Sequence, residues 1–558
     1  MKQQYDLDQC DTLIIGSSMA GGCLARQLKL KHPSMKITVL ERKKEFDHWV
    51  GESTLESFWD YAVKCLDLGF YLDTNHLYKH GLRFFYDSPE HDLPIDQMSE
   101  VGRSWFHSTP AHQIDRKRFD TDLYKMNLES GIDVHLGTKV TNIEIDSKNG
   151  HRIFTKNKIY QCRWLVDAAG LASPIGRKLG LIKSNKKSHP INSYWARVKN
   201  IANLDLLGDM QWRSKVNHTT RTLATTHFMY GGYWIWLIPI NSETFSIGLT
   251  VRTDMADVQI KSQEDFLKFL KTHKCMRQLL HQGCEVIDFQ KMANISRQSE
   301  QSFSNRRWFM TGMSAAILDP ILSPGSALLA DHNRMIGDLI EADMNSEKTV
   351  FENKIKAYNA YSKMWQKNFF LHIKGHYHDC YDRQRAIFET LLIQWFGVVL
   401  PISMSQSWGY DPNMPDEEFD QLEQKNDEMM ANSVIHKVET VIEQLHHYLR
   451  EKKLEYVNNK GQFYDIEIGD KAMRNTRTFG KNLNFEEVIR VENHMLMIAV
   501  KQSLIRMLEI EKLECSKELL NEIIFSVTSD NLNLRQGLNL IACRSESNVK
   551  LSLKDNAA

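Results

Sequence analysis

Across 558 residues the formal charges cancel, 70 Lys and Arg against 70 Asp and Glu, so no electrostatic footprint points to nucleic acid or to an anionic membrane. The sequence has no apolar run long enough to cross a bilayer, which argues against a membrane span. It also has no C-x-x-C pair, and its nine cysteines are scattered and odd in number. That disfavours a disulfide frame or a zinc site, so no metal is expected, and reduced thiols in a cytoplasmic protein are. The opening MKQQYDLDQCDTLIIG lacks a signal-peptide pattern and enters a strand at once, which again predicts a cytoplasmic location. What is present looks ordinary for a soluble globular protein, with 42% hydrophobic and 25% charged residues. The length calls for two or three domains rather than one simple core.

CDTLIIGSSMAGGCLARQLKLKHPSMKITVLERKKEF reads as a complete βαβ unit. Strand Thr12–Ile15 enters the turn Gly16-Ser17-Ser18-Met19-Ala20-Gly21, a helical pattern follows, and strand Ile37–Leu40 ends at Glu41 and Arg42. In a dinucleotide fold such turn glycines admit the pyrophosphate to a helix N-terminus, and the acidic residue about 20 positions later receives the ribose hydroxyls. Here Ser18 replaces the middle glycine and is expected to bring the backbone less easily to the phosphates. Later segments favour FAD. Arg116 precedes an amphipathic helix, Val140 lies in the strands after it, and CRWLVDAAG ends a buried strand at Asp167 before Gly170. RWFMTGMSAAILDPILSPGSALLADHNRMIGDLI then gives a strand, a small-residue turn with Asp319 and Pro320, and a helix from near Gly325. Three returns to one nucleotide domain fit a hydroxylase-type flavoprotein with an inserted substrate sheet.

GGYWIWLIPI (231–240) puts Trp234 and Trp236 on one face of a strand, with Tyr233, Ile235 and Leu237 on the other and Pro239 at its end. Alone it reads equally as a packed core strand. Together with the fingerprint and the stretches VGES and DPILSPG, it resembles the flavin-dependent halogenases over roughly residues 10–345. The matching residues are Val50, Gly51, Glu52 and Ser53, then Trp234 to Pro239, then Asp319 to Gly325. The phenol- and pyrrole-halogenating branches, which include the monodechloroaminopyrrolnitrin halogenase, are the most similar.

The resemblance implies an α/β fold with an FAD-binding Rossmann-like domain (1–80, 101–190 and 295–345). It implies an inserted mixed β-sheet substrate domain (81–100 and 191–294) and, beyond it, a helical C-terminal domain (346–558). It implies reduced FAD supplied by a separate flavin reductase, with O2 and chloride or bromide as co-substrates. Hypohalous acid formed at a flavin C4a-hydroperoxide would travel to a lysine beside an electron-rich aromatic substrate, free or held on a carrier protein. Lys79, Gly81 and Phe84 match the family's Lys-x-Gly-x-x-Phe pattern, so Lys79 is the expected catalytic lysine, against the alternative of a solvated strand-edge lysine. Trp234, Trp236 and Glu52 complete the expected catalytic set, the indoles as a dry wall between flavin and substrate. The N–H groups around Gly325 and Ser326, at a helix N-terminus, are the expected halide site. Met313 follows Gly312 where many hydroxylase-type flavoproteins carry an aspartate for the ribityl chain. The rival readings are a flavin monooxygenase or reductase on the same scaffold, and a catalytically silent flavoprotein that binds an aromatic ligand.

Beyond residue 346 the pattern is helical, and the acidic stretch 411–430 reads as a solvated linker or helix face. An aromatic-rich segment holds His372, His376, His378 and Cys380. Gly375 and the lack of an acidic partner argue against a metal there, and these aromatics are expected to line the substrate pocket or pack against it.

Overall fold

The computed structural model describes residues 6–106, 110–377, 434–454, 460–465 and 485–555, with scattered positions from 415 to 424. His378, Cys380, the side chain of His372 and most of the acidic stretch 411–430 lie outside the described residues.

The N-terminal strand Asp6–Ile15 pairs in parallel with Ile37–Leu40 on one side and Lys158–Asp167 on the other. All four residues of Ile37–Leu40 are buried, as expected for a parallel strand covered on both faces. The sheet continues outward to Asp133–His135 at one edge and through His151–Phe154 to Asn142–Glu144 at the other, and Trp308–Met310 pairs in parallel with the upper half of Lys158–Asp167. Helix Met19–Lys31 crosses between the first two strands. Its close approach requires glycine: a Cβ on Gly16 (φ +105°) would stand 2.5 Å from the Ala168 carbonyl oxygen, and one on Gly21 would stand 1.9 Å from the Gly16 carbonyl oxygen.

An eight-stranded sheet takes strands from the central insertion, from Leu82–Tyr86 and Ser99–Gly102, and from Phe463–Asp465 near the C-terminus. The tryptophan strand Tyr233–Pro239 lies inside it, between Thr225–Tyr230 and Thr244–Arg252. All seven of its residues are buried. Its alternation sorts them into two cores. Trp234, Trp236 and Ile238 join one apolar cluster, while Tyr233, Ile235 and Leu237 join another with Phe228, Ile247 and Leu249. The first cluster runs on into the C-terminal helices Val434–Lys452, Phe485–Glu511, Lys517–Thr528 and Leu534–Asp555 through Leu445, Leu504, Ile523 and Ile541. Among the described residues the C-terminal region is mostly helical and adds one strand to the sheet edge, and it shares a core with the tryptophan wall. Helix Lys348–Lys374 bridges the two parts and ends in a short 3-10 turn, Gly375–Tyr377.

Candidate active site

A cavity of about 530 Å³ opens where the βαβ turn faces the eight-stranded sheet. Its nucleotide end is lined by Gly16, Ser18, Ala20, Glu41, Arg42, Arg116, Val140 and Gly170, and its far end by Trp234, Trp236, Asp319 and Pro320. Gly51, Glu52, Ser53, Gly325 and Ser326 also line it. Ser17, Gly21, Asp167 and Lys79 do not, and stand behind the wall.

At the fingerprint, Glu41 is held by the Ser17 N–H at 3.0 Å and the Lys43 N–H at 2.9 Å. Ser18 does more than fill the glycine position. Its hydroxyl donates to Asp120 at 2.7 Å and accepts from Arg116 at 2.8 Å, while Arg116 also donates to the Val50 carbonyl at 2.6 Å. Arg116 is thereby bound to the Val50–Ser53 segment, and a Cβ on Gly51 (φ +93°) would press on the guanidinium at 2.8 Å. Asp167 shapes the opposite wall from behind: its carboxylate accepts from Ala169 N at 3.1 Å and Ile175 N at 2.9 Å, and burial pushes it up to about 6. Met313 lines the cavity beside Gly312 (φ +57°). A cradle that admits no Cβ at Gly16 or Gly21, a 13-residue helix starting at Met19, and a basic Arg116 fit an extended dinucleotide such as FAD.

The segment leading to helix Pro324–Asn345 is strained, with Leu322 (φ 66°) and Ser323 (φ 60°) both left-handed without being glycine. Such conformers persist where the surroundings over-determine them, often at functional sites. Ser323 donates to Ser53 at 2.9 Å, and the Leu55 N–H donates to Ser326 at 3.1 Å. A Cβ on Gly325 would meet nothing within 4 Å, so the start of this helix faces open space, a ready position for an anion.

Lys79 is buried, 3% exposed, and its ammonium donates to the Thr54 carbonyl at 2.8 Å. Burial pulls it down to about 8, with Glu56 acting weakly the other way. Thr54 follows Ser53, whose hydroxyl bonds Thr225 at 2.7 Å and receives Ser323, so one short chain of contacts runs from the lysine to the strained turn. Glu52 is held by Arg197 at 2.7 Å, and Arg197 reaches Asp288 at 3.2 Å. His376 is buried in the 3-10 turn that follows the helix.

Two residues that local sequence reading passed over belong to the site. His227 lines the cavity on the same sheet face as the tryptophans, stacks on Phe84 at 4.7 Å and lies 5.2 Å from Trp234. Burial and the nearby Lys79 ammonium push it down to about 3, so it is neutral. Its signal was the period-2 alternation of Thr225, His227 and Met229. Gly248 faces Trp236 across the ladder, where a Cβ would stand 2.0 Å from the indole.

This architecture, a parallel nucleotide-binding sheet with an inserted antiparallel-rich sheet closing over one cavity, is the fold of the FAD-binding halogenases. The solved halogenase PltM shares it with a TM-score of 0.63 at 15% identity, over 88% of this chain and 96% of that one. No family model matches the chain. It is similar to the flavin-dependent halogenase chlA of Dictyostelium discoideum, 27% identical over 389 residues, and spans 63% of that relative's length, the same share as of its own. It is also similar to a 1H-pyrrole-2-carbonyl-[peptidyl-carrier protein] brominase of Pseudoalteromonas luteoviolacea (strain 2ta16), 25% identical over 61% of this chain and 80% of that protein. The chain is related to the flavin-dependent halogenases.

Proposed function

We propose that the protein is an FADH2-dependent halogenase that delivers hypohalous acid through Lys79 to an electron-rich phenol or pyrrole, free or held on a carrier protein. The observation that carries this reading is Lys79: a lysine buried behind the cavity wall, its ammonium on the carbonyl of Thr54, which follows the wall residue Ser53. Neither hydroxylation nor hydride transfer needs it there. Bound FAD, reduced by a separate flavin reductase, supplies with O2 and chloride or bromide the oxidised halogen. Arg116 and the Gly16–Gly21 turn hold the pyrophosphate, and the N–H groups at Gly325 and Ser326 hold the halide. Trp234 and Trp236 exclude water and keep the ring of the substrate from the flavin. The lysine, with its proton held loosely by burial, donates a hydrogen bond to the hypohalous acid or, as the neutral amine, takes the halogen from it as a haloamine while the oxygen leaves as water. Neutral His227 donates from Nδ1–H to the Arg83 carbonyl at 3.3 Å and fills the edge of the same wall.

The test uses purified protein with FAD, a flavin reductase, NADH and chloride or bromide, offered a panel of phenols and pyrroles, with products read by isotope pattern in mass spectrometry. Halogenated product from wild type but not from Lys79→Ala, with FAD binding intact, is the expected outcome. Hydroxylated or reduced product, indifferent to halide and to Lys79→Ala, would move the protein to the oxygenase or reductase reading.

A further inference from the structure

A buried chain of hydrogen bonds joins the tryptophan wall to the strained turn. Trp234 Nε1–H donates to the Tyr377 hydroxyl at 2.9 Å, and that hydroxyl donates to Asp319 Oδ2 at 2.7 Å. The same oxygen is 2.7 Å from His189 Nε2, while Oδ1 accepts the Ile321 N–H at 2.9 Å. All four side chains are buried. The Tyr377 carbonyl accepts the Gly232 N–H at 3.0 Å, which pins the residue to the turn that opens the tryptophan strand. Its ring also packs edge-on against His189 at 5.5 Å. His189 Nδ1 has no partner among the described residues, so Asp319 and the packed rings fix that imidazole.

We propose, on the halogenase reading, that Tyr377 is a positioning residue that locks the Asp319–Ser323 turn, and with it the anion site at Gly325 and Ser326, to the tryptophan wall. Leu322 and Ser323 stay left-handed only while their surroundings hold them, and the Asp319 carboxylate is the anchor at the turn's start. Removing the Tyr377 hydroxyl takes one donor from a buried carboxylate and leaves a buried indole N–H unpaired. The turn then relaxes, and the N–H groups that face the halide move with it. Tyr377 comes from beyond the Lys348–Lys374 helix, outside every motif of the first 345 residues, so the C-terminal part of the chain sets the halide geometry.

The experiment compares wild type, Tyr377→Phe and His189→Phe, each loaded with FAD. Bromide is titrated against flavin absorbance and fluorescence, and in parallel the bromide KM, kcat and hydrogen peroxide released per NADH are measured. The expected result for Tyr377→Phe is a bromide Kd and KM raised about tenfold, equivalent to one hydrogen bond to a charged group, with more peroxide and an FAD Kd within about twofold of wild type. His189→Phe moves the same quantities the same way. An unchanged bromide Kd and KM, whether or not the melting temperature falls, overturns the proposal, since a merely structural tyrosine would lower stability without touching halide. If wild type binds bromide but halogenates nothing, the halogenase reading falls while the bromide Kd still judges Tyr377. If wild type binds no bromide, the anion site and this inference fall together.

Discussion

Lys79 is a buried lysine, and its burial costs the folded protein stability. Its folded-state value of about 8 lies below the ordinary 10.5, so the folded state resists the charge that the unfolded chain carries freely. Below pH 8 both states are protonated and the folded state bears the full penalty, about 3 kcal/mol. Between about pH 8 and 10.5 the folded lysine is neutral while the unfolded one still binds its proton, so stability rises with pH in that window. Lys79→Met is therefore expected to be more stable than wild type by about 1–3 kcal/mol at pH 7, with the advantage shrinking by about pH 9.5. Urea denaturation at the two pH values measures this. An advantage that grows with pH would show that burial does not control this amine. The lysine was legible in sequence through its Lys-x-Gly-x-x-Phe setting, but its burial and its contact with Thr54 were not, because they depend on a segment 25 residues away.

At the scale of elements, the fingerprint turn and the tryptophan strand show where local pattern suffices and where it stops. Ser18 reads in sequence as a departure that loosens the cofactor, yet its hydroxyl bonds both Arg116 and Asp120, which also pair directly at 3.0 Å on helix Arg116–Glu129, and so ties that pair to the fingerprint turn. Ser18→Gly, which restores the usual glycine, is thus expected to weaken FAD binding by about three- to tenfold rather than tighten it, as a fluorescence titration would measure. Tighter binding would return the residue to the role of an imperfect glycine. In the tryptophan strand, alternation alone sorts Trp234 and Trp236 from Ile235 and Leu237. The space for the Trp236 ring comes from Gly248 on the neighbouring strand. Gly248→Ala is expected to displace that indole, lowering stability by about 1–3 kcal/mol and altering tryptophan fluorescence. A variant with native fluorescence and stability would mean that the ladder shifts to make room.

Across the whole molecule, one buried clasp ties the nucleotide-binding part to the sheet: Glu52, from the loop after the second strand, meets Arg197 of strand Ile191–Lys199, which in turn meets Asp288. Arg197 is fully buried, so Glu52→Gln leaves its charge with one partially exposed carboxylate. A loss of about 3 kcal/mol in stability is expected, read as a lower melting temperature. Saturating FAD, which binds the folded state, is expected to return part of it. If Glu52→Gln melts like wild type and loses only activity, the glutamate acts at the reacting atoms and not as a clasp. The same long-range logic puts Trp365 and Phe369, from helix Lys348–Lys374, in the cavity wall. Sequence reading expected the aromatics of the segment 369–396 near the pocket; Phe369 begins that segment, Trp365 lies before it, and residues 378–396 lie outside the described residues.

By itself the sequence determined what depends on neighbours along the chain. The glycines of the βαβ turn, the acidic end of the second strand, the two-residue period of the tryptophan strand and the helix from near Gly325 are all encoded in spacing, because backbone sterics and side-chain alternation act locally. Tertiary structure alone decided which polar groups share a carboxylate, which strand offers a glycine to an indole, and how far water is kept from Lys79. Those outcomes depend on contacts between residues tens to hundreds of positions apart, where packing density and desolvation act and no local period records them.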